Sequence, residues 1–192
     1  MSKITGLLLA AGAGRRFGQD KLIQVLPNGE LLAARACRNL AAGVDAVLAV
    51  VRPGAGELAA SLAAHGAKVV EFADADLGMG ASLAFAVQNS PESDGWLIAL
   101  ADMPSVAPVT VCRLADALRA GAAIAAPRYL GRRGHPVGFA GCFAAELAGL
   151  SGDDGAKGVI SAHLEQLYII DCDDPGVLRD VDSPADLINL DI

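Results

Sequence analysis

The chain has 192 residues, 53% hydrophobic but only 4% aromatic, with a formal net charge of −7 and a pI near 4.8. That length suits one domain whose core is built from Ala, Leu and Val. The acidic balance argues against a nucleic-acid partner, because a phosphate polymer would be repelled. The cysteines at 37, 112, 142 and 172 form no Cys-x-x-Cys pair and no zinc-ligand spacing, and no apolar run approaches a membrane span. A cytoplasmic protein with free thiols and no membrane contact is expected.

Residues 4–10 read as a first buried strand, followed by a glycine-rich loop over 12–21. After the turn signal Pro27-Asn28-Gly29, a helix is predicted over 31–40. A second strand over 46–51 ends at Pro53-Gly54. A helix over 56–65 follows, with Gly66 where a C′ glycine belongs. Residues 68–72 read as a strand, 80–88 as a short helix, 96–100 as a strand, 109–119 as a helix closed by Gly121, and 122–126 as a strand. These continuous apolar runs, rather than period-two alternation, mark strands buried on both faces. The beat then weakens. Residues 134–139 read as an extended excursion, 142–150 and 155–166 as helices, and 167–171 as a late strand. A closing helix is predicted over 184–190, with Ser183 as N-cap and Pro184 at N1. The expected fold is α/β: a doubly wound, mostly parallel sheet with helices on both faces. The domain is taken as 1–192, with a nucleotide-binding half over 1–127 and an acceptor-binding and closing half over 128–192.

Five segments concentrate chemistry. Leu9-Ala10-Ala11-Gly12-Ala13-Gly14-Arg15-Arg16-Phe17-Gly18-Gln19-Asp20-Lys21 follows the first strand directly. Its glycines let backbone N–H groups converge on an anion, and Arg15, Arg16 and Lys21 add fixed positive charge. It is neither a Walker A loop, because Gln19 follows Gly18, nor a dinucleotide fingerprint, because Phe17 occupies the third glycine position. Leu100-Ala101-Asp102-Met103-Pro104 puts a hard oxygen at the carboxyl end of a buried strand, where Asp102 suits either a Mg²⁺ ligand or a helix cap. Asp182, in Val181-Asp182-Ser183-Pro184-Ala185-Asp186, admits the same two readings, and Asp186 reads as a surface acid in a first helical turn. Gly78-Met79-Gly80-Ala81-Ser82-Leu83 opens a helix, with Ser82 able to offer a hydroxyl to a nucleoside. Gly131-Arg132-Arg133-Gly134-His135-Pro136 constrains a histidine among cations.

Together these segments resemble the molybdenum cofactor nucleotidyltransferases, within the larger MobA-like nucleoside-triphosphate transferase family. The Ala-Ala-Gly form of the first loop, with Gly131–136 and Gly152-Asp153-Asp154-Gly155-Ala156, is similar to the cytidylyl branch. The resemblance implies nucleotidyl transfer from an NTP, with CTP favoured, to the terminal phosphate of a pterin-type acceptor, with Mg²⁺ as cofactor. It also implies a molybdoenzyme or its chaperone as a downstream partner. In residue terms, Leu9, Ala10, Ala11, Gly12, Ala13, Gly14, Gly78, Gly80 and Ser82 would bind the nucleotide. Arg15 and Lys21 would act on the phosphates, Asp102 and Asp182 would hold the metal, and Arg133, Gly134 and His135 would receive the acceptor. Alternatives are an NAD(P)-dependent oxidoreductase, for which Arg52 suits a phosphorylated dinucleotide, a non-catalytic nucleotide-binding chaperone, and a transferase for another small phosphorylated acceptor.

Overall fold

The computed structural model describes residues 2–12, 21–188 and 190. Ala13, Gly14 and Arg15 of the predicted phosphate loop lie outside the described residues. The strands are β1 (Ile4–Ala10), β2 (Ala46–Val51), β3 (Ala67–Glu71), β4 (Gly95–Leu100), β5 (Ile124–Tyr129), β6 (Arg132–Arg133), β7 (Val137–Ala140) and β8 (Leu167–Asp171). The helices are α1 (Leu32–Ala41), α2 (Gly56–Ala64), α3 (Met79–Gln88), α4 (Pro108–Arg119), α5 (Ala144–Ala148), α6 (Lys157–Ala162) and α7 (Pro184–Ile188).

All eight strands join one sheet in the order β3-β2-β1-β4-β7-β5, with β8 on the outer edge of β5 and β6 on the same edge of β5 as β7. The pairs β1·β2, β2·β3, β1·β4 and β5·β8 are parallel, and the central strands β1 and β4 are buried on both faces. The chain winds outward from β1 to β3, then returns to β4 on the other side of β1. That reversal opens a crevice at the carboxyl ends of β1 and β4.

Alternation along each strand sends side chains into two separate layers. Ile4, Leu8 and Ala10 of β1 pack with Val47, Ala49 and Val51 of β2 beneath α1, α2 and α4. Leu7 packs with Leu48, Val50, Trp96 and Phe139 beneath α3, α5 and α6. The small-residue composition serves close layer spacing. A Cβ on Gly6 would stand 2.8 Å from the Leu40 side chain, and one on Gly43 would stand 2.7 Å from the Cys112 backbone nitrogen. Cys37 is buried in the first layer, and burial pushes its thiol up to about 11.

The structure departs from the sequence expectations mainly beyond residue 120. The strand expected over 122–126 begins at Ile124, because Ala122 N donates to Ala117 O and completes the turn after α4. The extended excursion over 134–139 becomes β7, inserted antiparallel between β4 and β5. Gly138 allows the insertion, since a Cβ there would meet Leu118 of α4 at 2.9 Å. The helix expected over 155–166 shortens to α6, because Gly155 takes a left-handed φ of 56° and His163 ends the helix. Residues 142–150 divide into a 3₁₀ turn, Gly141–Phe143, and the shorter α5.

A buried carboxylate fixes the closing segment. Asp174 is 6% exposed, and its Oδ2 accepts from Thr110 Oγ1 (2.6 Å) and Ala107 N (2.9 Å) while Oδ1 accepts from Gly176 N (3.0 Å). Gly176 can approach so closely only without a Cβ, which would strike the Ser105 carbonyl. Asp174→Ala strands three donors, so a loss on the order of 3 kcal/mol is expected in urea unfolding. A loss under about 1 kcal/mol would show that water replaces the carboxylate at little cost.

Candidate active site

The loop after β4 is built to present one acid. Ala101 N donates to Leu9 O (3.1 Å), and Met103 N to Leu100 O (3.2 Å), which turns the chain over the crevice. Met103 is buried as an anchor beneath the loop. Asn39 of α1, itself buried, donates its side-chain amide to Pro104 O and Val106 O, both at 3.0 Å. With both flanks pinned, Asp102 is left at the rim. Its carbonyl accepts from Val181 N (2.9 Å), which draws the C-terminal segment alongside.

Lys21 reaches the same point from the opposite side. It begins a 3₁₀ turn, Lys21–Ile23, anchored by buried Leu22. Its Nζ donates to Asp102 Oδ2 (2.9 Å), Val181 O (2.9 Å) and Asp182 Oδ1 (3.1 Å). An ammonium has three protons, and here all three are engaged. Burial by itself would lower the Lys21 pKa, but hydrogen bonding and charge from Asp102, then from Asp182, outweigh it and the net shift is upward. Lys21 is therefore a permanent cation at neutral pH, not a proton acceptor.

Two carboxylates converging on one point form a hard-oxygen donor pair. Mg²⁺ is commonly held by one or two carboxylates, with substrate phosphates and water completing its shell. Asp102 and Asp182 fit that requirement. Among the described residues no cluster of three or more His, Cys, Asp or Glu offers an all-protein cage. Asp182 is itself held in place by Asp186, whose Oδ2 accepts from Ser183 N (2.7 Å), Ser183 Oγ (2.8 Å) and Asp182 N (3.1 Å). Those bonds, Ser183 foremost, hold the Asp186 carboxyl below its ordinary range. Asp186 is thus the acid of a capping arrangement rather than a free surface charge, and Pro184 opens α7 as the sequence suggests.

Beside this centre lies a cleft of about 450 Å³. Leu9, Ala11 and Gly12 line one wall, and Gly78, Met79 and Ser82 the other. Ser82 Oγ donates to Gly78 O at 3.2 Å. Two predicted nucleotide contacts stand elsewhere. The Ala10 side chain is buried in the layer beneath α1, on the other face of the sheet. Gly80 faces the loop after α5: its N donates to Gly152 O (2.7 Å), and a Cβ there would stand 2.6 Å from Ser151 O.

The predicted acceptor residues lie on the β6–β7 segment. Arg133 is exposed, while Gly134 is buried where a Cβ would strike the Val177 carbonyl. His135 N donates to Val177 O at 2.9 Å, and its buried Nδ1 has no hydrogen-bond partner among the described residues. Burial first, then the Arg133 charge, lowers the His135 pKa, with Asp102 acting in the opposite sense. Its ring is neutral at neutral pH.

Arg52, Asp76, Met79 and Asp153 also line the cleft, although the sequence assigns them no role in nucleotidyl transfer. Arg52 Nε donates to Ala11 O (2.7 Å) and Nη1 to Asp76 Oδ1 (2.9 Å), tying the first loop to the turn before α3. The available signal was a cation directly after the second strand, on the ligand-bearing rim. No helix among the described residues is long and apolar enough to cross a membrane.

Known proteins share this architecture over nearly its full length. Nicotine blue oxidoreductase of Paenarthrobacter nicotinovorans is 31% identical, over 97% of this chain and 96% of its own. Purine catabolism protein PucB of Bacillus subtilis (strain 168) is 30% identical, over 95% of this chain and 93% of its own. The crystal structure of Rv0371c from Mycobacterium tuberculosis H37Rv is 31% identical with a TM-score of 0.82, covering 98% of this chain and 96% of that one. The same protein in complex with manganese gives a TM-score of 0.79 at 29% identity, over 98% of each chain. The MobA-like NTP transferase domain matches residues 6–167, a stretch that holds Lys21, Asp102 and every residue lining the cleft, and the chain belongs to that family of nucleotidyl-transferring enzymes.

Proposed function

We propose that the protein transfers a cytidylyl group from CTP, with Mg²⁺, to the terminal phosphate of a molybdopterin-type cofactor and releases pyrophosphate. The observation that carries this reading is the meeting of Lys21 Nζ with Asp102 (2.9 Å) and Asp182 (3.1 Å) at the mouth of the cleft. Preference for CTP is supported by the Ala10-Ala11-Gly12 form of the first loop, together with the Gly131–136 and Gly152–156 segments. Residues 1–127 would hold the nucleotide and 128–192 the acceptor, with Arg133, Gly134 and His135 on the acceptor side. Leu9, Ala11, Gly12, Gly78 and Ser82 would enclose the nucleoside, with Ala10 and Gly80 shaping its walls from behind. Ala13, Gly14 and Arg15 would meet the β- and γ-phosphates. A cytoplasmic molybdoenzyme or its chaperone would take the product.

The chemistry follows from charge. An oxygen of the acceptor phosphate attacks the α-phosphorus in line. The bond from the α-phosphorus to the bridging oxygen breaks, and pyrophosphate leaves with that electron pair. The acceptor is already anionic, so no base is needed. Lys21, held protonated by Asp102 and Asp182, is placed in advance to meet negative charge growing at the α-phosphate. When bound, Mg²⁺ would neutralise phosphate oxygens from the Asp102–Asp182 side. Neutral His135 can accept or donate a hydrogen bond without adding charge beside the acceptor.

A second reading, an NAD(P)-dependent reductase, is favoured by the name of the Paenarthrobacter nicotinovorans relative. Weighing against it, Arg52 is already engaged by Ala11 O and Asp76. One experiment separates the two. Pyrophosphate is measured with each of the four NTPs, a phosphorylated pterin acceptor, and Mg²⁺ supplied or withheld; NADPH oxidation is followed in parallel. Release from CTP that requires both acceptor and Mg²⁺ is expected. NADPH consumption without pyrophosphate would favour the reductase.

A further inference from the structure

Three carboxylates line the cleft: Asp76, Asp102 and Asp153. Arg52 pairs with the first and Lys21 with the second. Asp153 has no hydrogen bond or ion pair to any described residue, yet it is held at the wall by design of the surrounding backbone. Its Oδ1 lies 2.5 Å from where a Cβ on Gly78 would stand, so a side chain at 78 would displace it. Gly78 also has a φ of 105°, a conformation that other residues rarely adopt. The loop that carries Asp153 is clamped to the start of α3 by Gly80 N donating to Gly152 O at 2.7 Å. Gly155, with a left-handed φ of 56°, then lies against Met79, whose Sδ is 3.2 Å from where a Cβ would stand.

A triphosphate is an anion, and an unpaired carboxylate would repel it. Asp153 suits the part of such a ligand that presents hydrogen-bond donors, the amino edge of the heterocycle or a ribose hydroxyl, and of these only the amino edge differs between bases. Resting on the nucleotidyl-transfer reading, we infer that Asp153 is the specificity-determining residue that reads an exocyclic amino group of the nucleobase. Cytosine and uracil make the distinction clear. At position 4 cytosine carries an amino donor and uracil a carbonyl acceptor; a carboxylate accepts from the first and repels the second. Asp153 sits on the Ser82 wall, so amino group and hydroxyl would be read from one side. Guanine carries an amino edge of the same chemistry, and so does a pterin ring.

The test is nucleotide binding alone, with Mg²⁺ and no acceptor, which removes the pterin as a source. Dissociation constants for CTP, UTP and GTP are measured by calorimetry on the wild type, Asp153→Asn and Asp153→Ala. Asp153 is exposed, so both variants are expected to fold, checked by unchanged circular dichroism. The wild type should favour CTP over UTP by about 10- to 100-fold, the worth of one charged hydrogen bond. Asp153→Asn, whose amide can donate to the uracil carbonyl, should bring the two within a few-fold, and Asp153→Ala should lose CTP affinity without losing UTP affinity. A wild-type preference for GTP that both variants abolish also supports the amino-group reading, with guanine as the source. A CTP-to-UTP ratio and a GTP affinity both unchanged by the two substitutions overturn the inference and leave nucleotidyl transfer standing. Failure of the wild type to bind any of the three nucleotides, or ATP measured alongside them, overturns both.

Discussion

Lys21→Ala is expected to reduce turnover by about 10²- to 10³-fold at saturating CTP, the usual loss when one preorganised charge-stabilising donor is removed. Nucleotide affinity should change by only a few-fold. The asymmetry follows from where the ammonium stands. Lys21 Nζ is fixed at the rim by Asp102, Val181 O and Asp182, whereas most of the cleft wall is made by Leu9, Ala11, Gly12 and the α3 entry. On the proposed mechanism its charge matters most when charge grows at the α-phosphate. Lys21→Arg should restore little, because a planar fork cannot offer three donors to the tripod of acceptors that one ammonium nitrogen satisfies. Pyrophosphate release and a separate CTP titration check this. Full activity in the Ala variant, or a loss seen wholly in affinity, would remove Lys21 from the reaction.

Asp102→Asn is expected to be the more severe change, about 10³-fold or greater in turnover, because it affects two functions at once. On the proposed reading it replaces an anionic metal ligand with a neutral amide, weakening the hard-oxygen pair formed with Asp182. It also removes the principal group that holds the Lys21 pKa up and its ammonium in position. The shape of the loop should survive, since Met103 is buried and Asn39 bonds Pro104 and Val106 rather than Asp102. Unfolding should therefore report near-native stability while the residual rate no longer responds to Mg²⁺ over the range that saturates the wild type. Unchanged Mg²⁺ dependence in the variant would exclude Asp102 as a ligand.

The parallel half of the fold was legible because its physics is local. Strands β1, β2 and β8 match the expected bounds: β1 and β2 are apolar runs buried almost throughout, and β8, a half-exposed edge strand, is marked by its apolar run over 167–170. The insertion of β7 was not legible. A short run with Gly138 at its centre is strand-like only because α4 and β4 are there to receive it, and that is tertiary information. The site divides in the same way. Lys21, Asp102 and Asp182 stand out as charges at the ends of apolar runs, and the structure brings them together across 161 residues of chain. Arg52 carries the same kind of signal, a charge directly after the apolar run of β2, but Asp153 does not: it enters the cleft only because Gly78, far away in sequence, leaves space for its oxygen. Asp186 was read as a surface acid because a first-turn acid usually is one, and nothing local reveals that it also holds Asp182 N.

The most direct measurement is anomalous scattering from crystals grown with Mn²⁺ and a non-hydrolysable CTP analogue. A manganese peak in contact with the Asp102 and Asp182 carboxylates, with the analogue's base in the cleft between Ala11 and Ser82, is the expected result. Manganese at a different place, with Lys21 still bonded to both carboxylates and the analogue outside the cleft, would contradict a metal–nucleotide centre at this rim.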